Sequence, residues 1–167
     1  LVPLASTRSA GEKIQFNGKE YTVQIATEES FKDVDIALFS AGSQISEVLA
    51  PAAAKAGCVA IDNSSQWRMT DGIPLVVPEV NPHHIAGYKE KGIIANPNCS
   101  TIQMVVALGP LHQKGNLKRV VVSTYQAVSG AGKEGMDELS TQVSSLFNQL
   151  DFEPTKFTKQ IAFNCIP

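Results

Sequence analysis

The segment Asn96-Pro97-Asn98-Cys99-Ser100-Thr101 holds the residue types best suited to chemistry in this chain. An apolar run, Gly92 to Ala95, precedes it. From Ser100 the apolar positions Ile102, Val105, Val106, Leu108 and Leu111 recur at helical spacing as far as Gly115. That pattern reads as strand, turn and helix, with Cys99 at or just before the helix N-terminus. Unpaired amides and the helix dipole stabilise a thiolate at such a position. A thiolate placed there is a competent nucleophile toward an aldehyde or an acyl phosphate. The plainer reading of the same residue is a small buried hydrophobe, the usual role of a free cysteine. Cys58 and Cys165 have no comparable surroundings and read as core thiols. Three cysteines at wide spacing make neither a disulfide framework nor a zinc pair. A reducing, cytoplasmic setting is therefore expected, and no metal.

The remaining candidates for chemistry are polar residues at the ends of apolar runs. Arg68 carries a planar fork suited to a bidentate contact with an oxyanion, against the plainer alternative of a surface salt bridge. Gln126 follows the β-branched and aromatic run Val120 to Tyr125 and precedes Ser129-Gly130-Ala131-Gly132, a turn whose backbone can approach a ligand closely. His83 and His84 read as exposed residues at a helix start. His112 lies on the Cys99 helix thirteen positions on, about 20 Å away at about 1.5 Å per residue, too far for proton transfer. None of the three histidines is a base for Cys99.

Several elements must position these residues. Asn17-Gly18, between Ile14-Gln15-Phe16 and the run Tyr21 to Ile25, predicts a hairpin. Asp35 to Phe39, Cys58 to Ile61, Leu75 to Val77 and Gly92 to Ala95 read as short strands. Ser43 can cap a helix running toward Lys55, with Pro51 kinking or splitting it and Gly57 ending it. Asn81-Pro82 opens a short helix. Val120 to Tyr125 reads as a strand and Gly135 to Leu150 as a helix with Met136, Leu139, Val143, Leu146 and Leu150 on or near one face. Strands alternating with helices of about a dozen residues predict an α/β fold with a largely parallel sheet. The expected change of domain lies near residue 98, giving 1–97 and 98–167.

The 167 residues are 43% hydrophobic and 18% charged, enough to bury a core, and a net charge of −2 exerts no general pull on nucleic acid or an anionic membrane. Any bound anion must be held by local donors. No apolar run approaches the roughly 18 residues of a membrane span. The chain begins within an apolar run, Leu1 to Ala5, and stops at Ile166-Pro167 just after another apolar stretch, so a piece of a longer protein is expected.

Four motifs carry a resemblance to one family. Asn-Pro-Asn-Cys-Ser-Thr around Cys99 resembles the active-site cysteine motif of aspartate-semialdehyde dehydrogenases. Gln126-Ala127-Val128-Ser129-Gly130-Ala131-Gly132 resembles a second signature, Asp62-Asn63-Ser64-Ser65-Gln66-Trp67-Arg68-Met69 a third, and Ser6-Thr7-Arg8-Ser9-Ala10-Gly11 a fourth. The four occur in order across essentially the whole chain. The nearest alternative, N-acetyl-glutamyl-phosphate reductase, shares fold and chemistry but has Gly before and Tyr after its cysteine, where Asn98 and Ser100 stand here. A non-catalytic folding or dimerisation fragment is the reading from another class.

The resemblance implies an incomplete Rossmann-like parallel sheet followed by the start of an α+β catalytic and dimerisation domain. It implies interconversion of L-aspartyl 4-phosphate, NADPH and a proton with aspartate semialdehyde, NADP and inorganic phosphate. That reaction lies on the route to diaminopimelate, lysine, threonine, methionine and isoleucine. Cys99 is then the nucleophile that forms a thioester. Arg68 and Asn98 hold phosphate, Gln126 orients the substrate, and Arg8, Ser9, Ser129 and Gly130 contact NADP. A homodimer is implied, with a tetramer as the alternative. The family's glycine-rich pyrophosphate loop and its catalytic histidine have no match here, which agrees with missing upstream and downstream parts. The 167 residues alone are therefore expected to be inactive.

Overall fold

Short runs of β-branched and small apolar residues build the sheet that carries Cys99. The computed structural model describes residues 1–167. β5 (Ile36–Phe39), β6 (Val59–Asp62) and β7 (Ile93–Ala95) form a parallel sheet in that spatial order. Its register sets Ile36 beside Val59, Phe39 beside Asp62, and Asp62 beside Ala95. Parallel strands need a crossover, and α1 (Ser43–Lys55) supplies the one between β5 and β6. The side chains of Ser46, Leu49, Ala50 and Ala53 are buried, a spacing that keeps one face of α1 on the sheet. Ala50, Ala53, Ala60 and Ala95 are fully buried, so helix and sheet backbones approach closely. Phe31 and Phe39 close the layer, their rings stacked 5.6 Å apart. On the opposite face Ile36 and Leu38 stay exposed.

The hairpin forms as its sequence predicts. β2 (Lys13–Phe16) and β3 (Lys19–Thr22) pair antiparallel across Asn17 and Gly18. Both turn residues have positive φ, 49° and 73°, which is why Asn-Gly is chosen there. β1 (Leu4–Ala5) pairs in parallel with β4 (Gln24–Ile25) beside it. Two expectations about α1 differ from what forms. Pro51 does not split it, because the buried alanine face holds the helix through the one missing backbone hydrogen bond. Ser43 is its first helical residue rather than its cap. Gly42 takes the cap position, and Ser43 Oγ instead lies 3.1 Å from Ser65 Oγ.

Leu75 to Val77 contributes a single bridge, Leu75 to Ala95, rather than a full strand. Pro82–Glu90 is a 3-10 helix that leaves His83 and His84 exposed. α2 (Cys99–Gly115) starts one residue before the expected Ser100 and ends on Asn116 in the left-handed region, φ 49°.

The chain divides into two compact units, Leu1–Lys118 and Arg119–Pro167. α2 belongs to the first by compactness, although the sequence suggested a change of domain near residue 98. The second unit is built on α3 (Gly132–Phe147), preceded by a 3-10 turn at Val128–Ala131. No strand is present within residues 116–127, so the strand expected at Val120 to Tyr125 does not form. β-Branched residues suit a strand but do not make one. A strand needs a neighbouring edge, and no other paired strand lies in this unit.

A clasp holds the tail of the second unit to α3. Glu138 and Gln142 are buried on that helix, and Gln142 Nε2 donates to Glu138 Oε1 over 2.8 Å. Glu138 Oε2 accepts from Thr155 N (3.1 Å), Thr155 Oγ1 (2.9 Å) and Lys156 N. Gln142 Oε1 accepts from Ile161 N and Ala162 N, at 2.8 and 3.0 Å. Burial pushes the Glu138 carboxyl up, but these donors outweigh it and hold the group below the usual glutamate value.

Candidate functional site

The carboxyl ends of β6 and β7 place the polar residues that the sequence singled out. The backbone ladder continues past the strands: Asn63 N donates to Phe39 O (2.9 Å) and Asn96 N donates to Asp62 O (2.8 Å). Asn63 and Asn96 therefore stand side by side at the edge, and Asn96 Nδ2 donates to Asn63 Oδ1 over 2.7 Å. The carboxyl edge of a parallel sheet is where ligands of such folds bind.

Cys99 is exposed at the first position of α2. Asn98 is the N-cap. Its Oδ1 accepts from Ser100 N at 3.1 Å and Thr101 N at 3.4 Å. That capping satisfies two of the amides a helix start leaves unpaired. Sequence reasoning had assigned Asn98 only to phosphate. The cap was legible, since Asn is among the preferred N-cap residues. Cys58 is buried, with its thiol pushed up first by burial and then by the nearby charge of Asp35. Cys165, expected in a core, is exposed.

Arg68 reaches the same edge from the loop after β6. Its Nε donates to Asn96 O (2.9 Å) and its Nη2 donates to Asn63 O (3.0 Å). The side edge of the guanidinium thus spans two adjacent strand ends, leaving the outer N–H groups for another acceptor. The loop that returns Arg68 is held from below. Asp62 is fully buried, and its Oδ2 accepts from Ser64 Oγ at 2.5 Å, while Ser64 Oγ accepts from Gln66 N. Trp67 Nε1 donates to Ser46 Oγ of α1 over 2.8 Å. None of these anchors was foreseen, because each joins residues that only the fold brings together.

Arg8 and Ser9 lie in the turn that follows β1, at the carboxyl end of the β1–β4 pair. Arg8 is exposed, and Ser9 N donates to Ser6 O at 3.1 Å. A guanidinium with serine and threonine hydroxyls in a turn is a donor set that fits a phosphate. In the second unit Gln126 is exposed, and Ser129 and Gly130 lie in the 3-10 turn, where a side chain added at Gly130 would meet nothing within 4 Å. His84 Nδ1 lies 3.0 Å from Asn81 Nδ2 on the surface, and His112 is exposed near the far end of α2.

A parallel β5–β6–β7 sheet with a helix crossover and a helix-start cysteine beyond its carboxyl edge defines an α/β arrangement of the Rossmann-like class. Comparison with known proteins sharpens this. Residues 1–88 match the semialdehyde dehydrogenase NAD binding domain and residues 108–167 the semialdehyde dehydrogenase dimerisation domain. Aspartate-semialdehyde dehydrogenase of Aquifex aeolicus is 57% identical over the whole chain, which spans 50% of that protein. The structure of aspartate semialdehyde dehydrogenase II from Vibrio cholerae complexed with ASA superposes with a TM-score of 0.85. It is 54% identical over 99% of this chain and 49% of its own. The Candida albicans enzyme solved with NADP is more distant, 26% identical with a TM-score of 0.54 over 68% of this chain and 39% of its own. The chain belongs to the aspartate-semialdehyde dehydrogenase family. It spans about half the length of the curated relatives it matches.

Proposed function

We propose that the protein to which these residues belong is an NADP-dependent, phosphorylating aspartate-semialdehyde dehydrogenase with Cys99 as its nucleophile. The observation that carries this reading is the placement of an exposed Cys99 at a helix start, three residues after the Asn96 carbonyl that anchors Arg68. When bound, NADPH would supply the hydride in the reductive direction and NADP would accept it in the other. In the reductive direction Cys99 Sγ bonds to C4 of aspartyl phosphate and the C–O bond to phosphate breaks. The outer N–H groups of Arg68 and the Asn98 amide hold the departing phosphate dianion. The acyl group then rests on Cys99 as a thioester; once its carbon has gained the hydride that NADPH would supply, the C–S bond breaks, aspartate semialdehyde leaves and Cys99 is returned as a thiolate. Splitting one displacement into two easier steps is the advantage of the covalent route.

Arg8 and Ser9 fit the 2′-phosphate of NADP, and the Candida albicans relative solved with NADP supports that preference. Ser129 and Gly130 line the nicotinamide, and Gln126 orients the substrate. Functionally, residues 1–97 serve the cofactor, and 98–167 begin the catalytic and dimerisation part, of which the dimerisation-domain match supports a homodimer. The cytoplasmic route to lysine, threonine, methionine and isoleucine is the place for this reaction.

The test follows NADPH formation from aspartate semialdehyde, phosphate and NADP by the complete protein. Turnover that disappears with Cys99→Ala supports the reading. Undiminished turnover in that variant would remove Cys99 from the mechanism.

A further inference from the structure

Two asparagines outside the expected site stand in direct contact at the strand ends that flank Cys99. Asn63 and Asn96 are the first residues beyond β6 and β7, and their side chains meet through the 2.7 Å bond from Asn96 Nδ2 to Asn63 Oδ1. Their carbonyls are bridged by one guanidinium, Arg68 Nε to Asn96 O and Arg68 Nη2 to Asn63 O. The two bridges join the same pair of residues, one through side chains and one through backbones. Beyond the backbone ladder, the edge is therefore pinned at two further points. Asn96 is followed by Pro97, whose ring limits its own φ and restricts the residue before it. The displacement of Asn96 is thus passed on through a stiff link to Asn98 and Cys99.

We propose that Asn63 and Asn96 are positioning residues, forming with the side edge of Arg68 a clamp that sets Cys99 and the outer N–H groups of Arg68 at one fixed spacing. This rests on the proposed reaction, because the spacing matters only if thiol and guanidinium serve one substrate. A guanidinium has five N–H groups in a rigid plane. With the side edge committed to two carbonyls, its orientation is set before an oxyanion arrives. Without the asparagine pair the strand ends keep the backbone bond from Asn96 N to Asp62 O, but the spacing of the two carbonyls that Arg68 spans is held less closely. The positive charge remains in either case. The loss is one of aim.

The experiment compares the complete wild-type protein with Asn63→Ala, Asn96→Ala, the double variant and Asn63→Asp. Two readouts are taken at a temperature where all are folded by circular dichroism. The first is the iodoacetamide alkylation rate of Cys99 and its protection by inorganic phosphate. The second is KM for phosphate against KM for NADP and kcat. Each alanine variant is expected to weaken phosphate protection and raise the phosphate KM about three- to tenfold, the effect of losing one neutral hydrogen bond. KM for NADP should hold. The double variant should be no worse than the poorer single one, since one bond is lost in each case. Asn63→Asp, which keeps an acceptor at the same place, should hold its protection near wild type. Where an alanine variant does not fold, Asn96→Ser replaces it, its hydroxyl being too short to reach Asn63 Oδ1.

Wild-type behaviour in the alanine variants, or losses that add in the double variant, would overturn the clamp. A drop in melting temperature with unchanged phosphate protection would reduce the pair to a structural role and overturn it as well. If the wild type shows no turnover of aspartate semialdehyde, the proposed reaction fails. The alkylation comparison still decides the clamp.

Discussion

Replacing Gly92 by alanine tests whether β7, and with it the turn that carries Cys99, is located by close packing on α1. Gly92 has φ +69°, and a Cβ built on it would lie 2.6 Å from Ala54 Cβ and 3.1 Å from Ala54 Cα. Two penalties follow. Left-handed backbone costs an L-residue about 1–2 kcal/mol. Forcing an extra carbon into a packed contact costs about 1–3 kcal/mol when the neighbour is a helix that must move. The sum is about 2–5 kcal/mol, a large share of the roughly 5–15 kcal/mol that holds a domain folded. Gly57 provides the control. Its φ is +87°, but a Cβ there meets nothing within 4 Å, so Gly57→Ala should show the backbone part alone.

Urea unfolding followed by tryptophan fluorescence suits the measurement. The single tryptophan, Trp67, packs against this same core. With a urea slope of about 2 kcal/mol per molar, Gly92→Ala should lower the midpoint by about 1–2.5 M and Gly57→Ala by about 0.5–1 M. Adding Ala54→Gly to Gly92→Ala removes the nearer of the two contacting atoms. It should recover part of the difference, less about 1 kcal/mol for a glycine in a helix. Equal midpoints for the two single variants would refute the reasoning, because they would mean that α1 is not held against β7 at this point.

Other outcomes follow from the same geometry. Mass spectrometry after brief alkylation at pH 7 should find Cys99 modified fastest and Cys58 slowest, since Cys58 is buried with its thiol pushed up; equal labelling of all three thiols would contradict this. In the complete enzyme Arg68→Lys should raise KM for phosphate at least tenfold and leave KM for NADP unchanged, because an ammonium cannot span both strand-end carbonyls and keep a bidentate face for the anion. Arg8→Ala should weaken NADP by about 1.5–3 kcal/mol, the value of a hydrogen bond to a charged group, with little effect on NAD; equal losses for both cofactors would remove Arg8 from the 2′-phosphate. The Glu138 carboxyl is held below its unfolded value, about 4.3, so its contribution is fully present above that pH and is lost as pH falls through the lower, folded value. The helical signal of α3 should accordingly weaken on acidification below about pH 4, and Glu138→Gln should remove that part of the pH dependence. An unchanged acid limb in Glu138→Gln would show that the clasp does not depend on charge.

Much of the first unit was legible because its signals are local. Asn17-Gly18 adopts the positive φ angles its residue types permit, and the helical spacing after Ser100 matches α2 closely. Pro51 does not split α1, because the buried face of Ala50 and Ala53 around it holds the helix together. The Val120 to Tyr125 expectation failed for the converse reason. Strand propensity there is strong, but pairing needs an edge that lies beyond the reach of any local pattern. Arg8, Arg68, Asn98, Cys99 and Gln126 stand out in the sequence as candidates by residue type, yet the bonds that hold Arg68 in place do not. Asn63 and Asn96 are 33 positions apart, and no periodicity connects them.

The amino-acid sequence by itself determined the alternation of strand and helix, the tight turns, and the presence of a cysteine at a helix start. These depend on dihedral preferences and side-chain spacing within a few residues. Only the tertiary structure decided that two strand ends lie side by side and that one guanidinium bridges their carbonyls. It alone decided that Glu138 and Gln142 grip a tail some twenty residues on. Each of those is a hydrogen bond between groups that approach only after the chain has closed long loops and buried its apolar faces. The energy that brings them together comes from the whole core and is written at no single position.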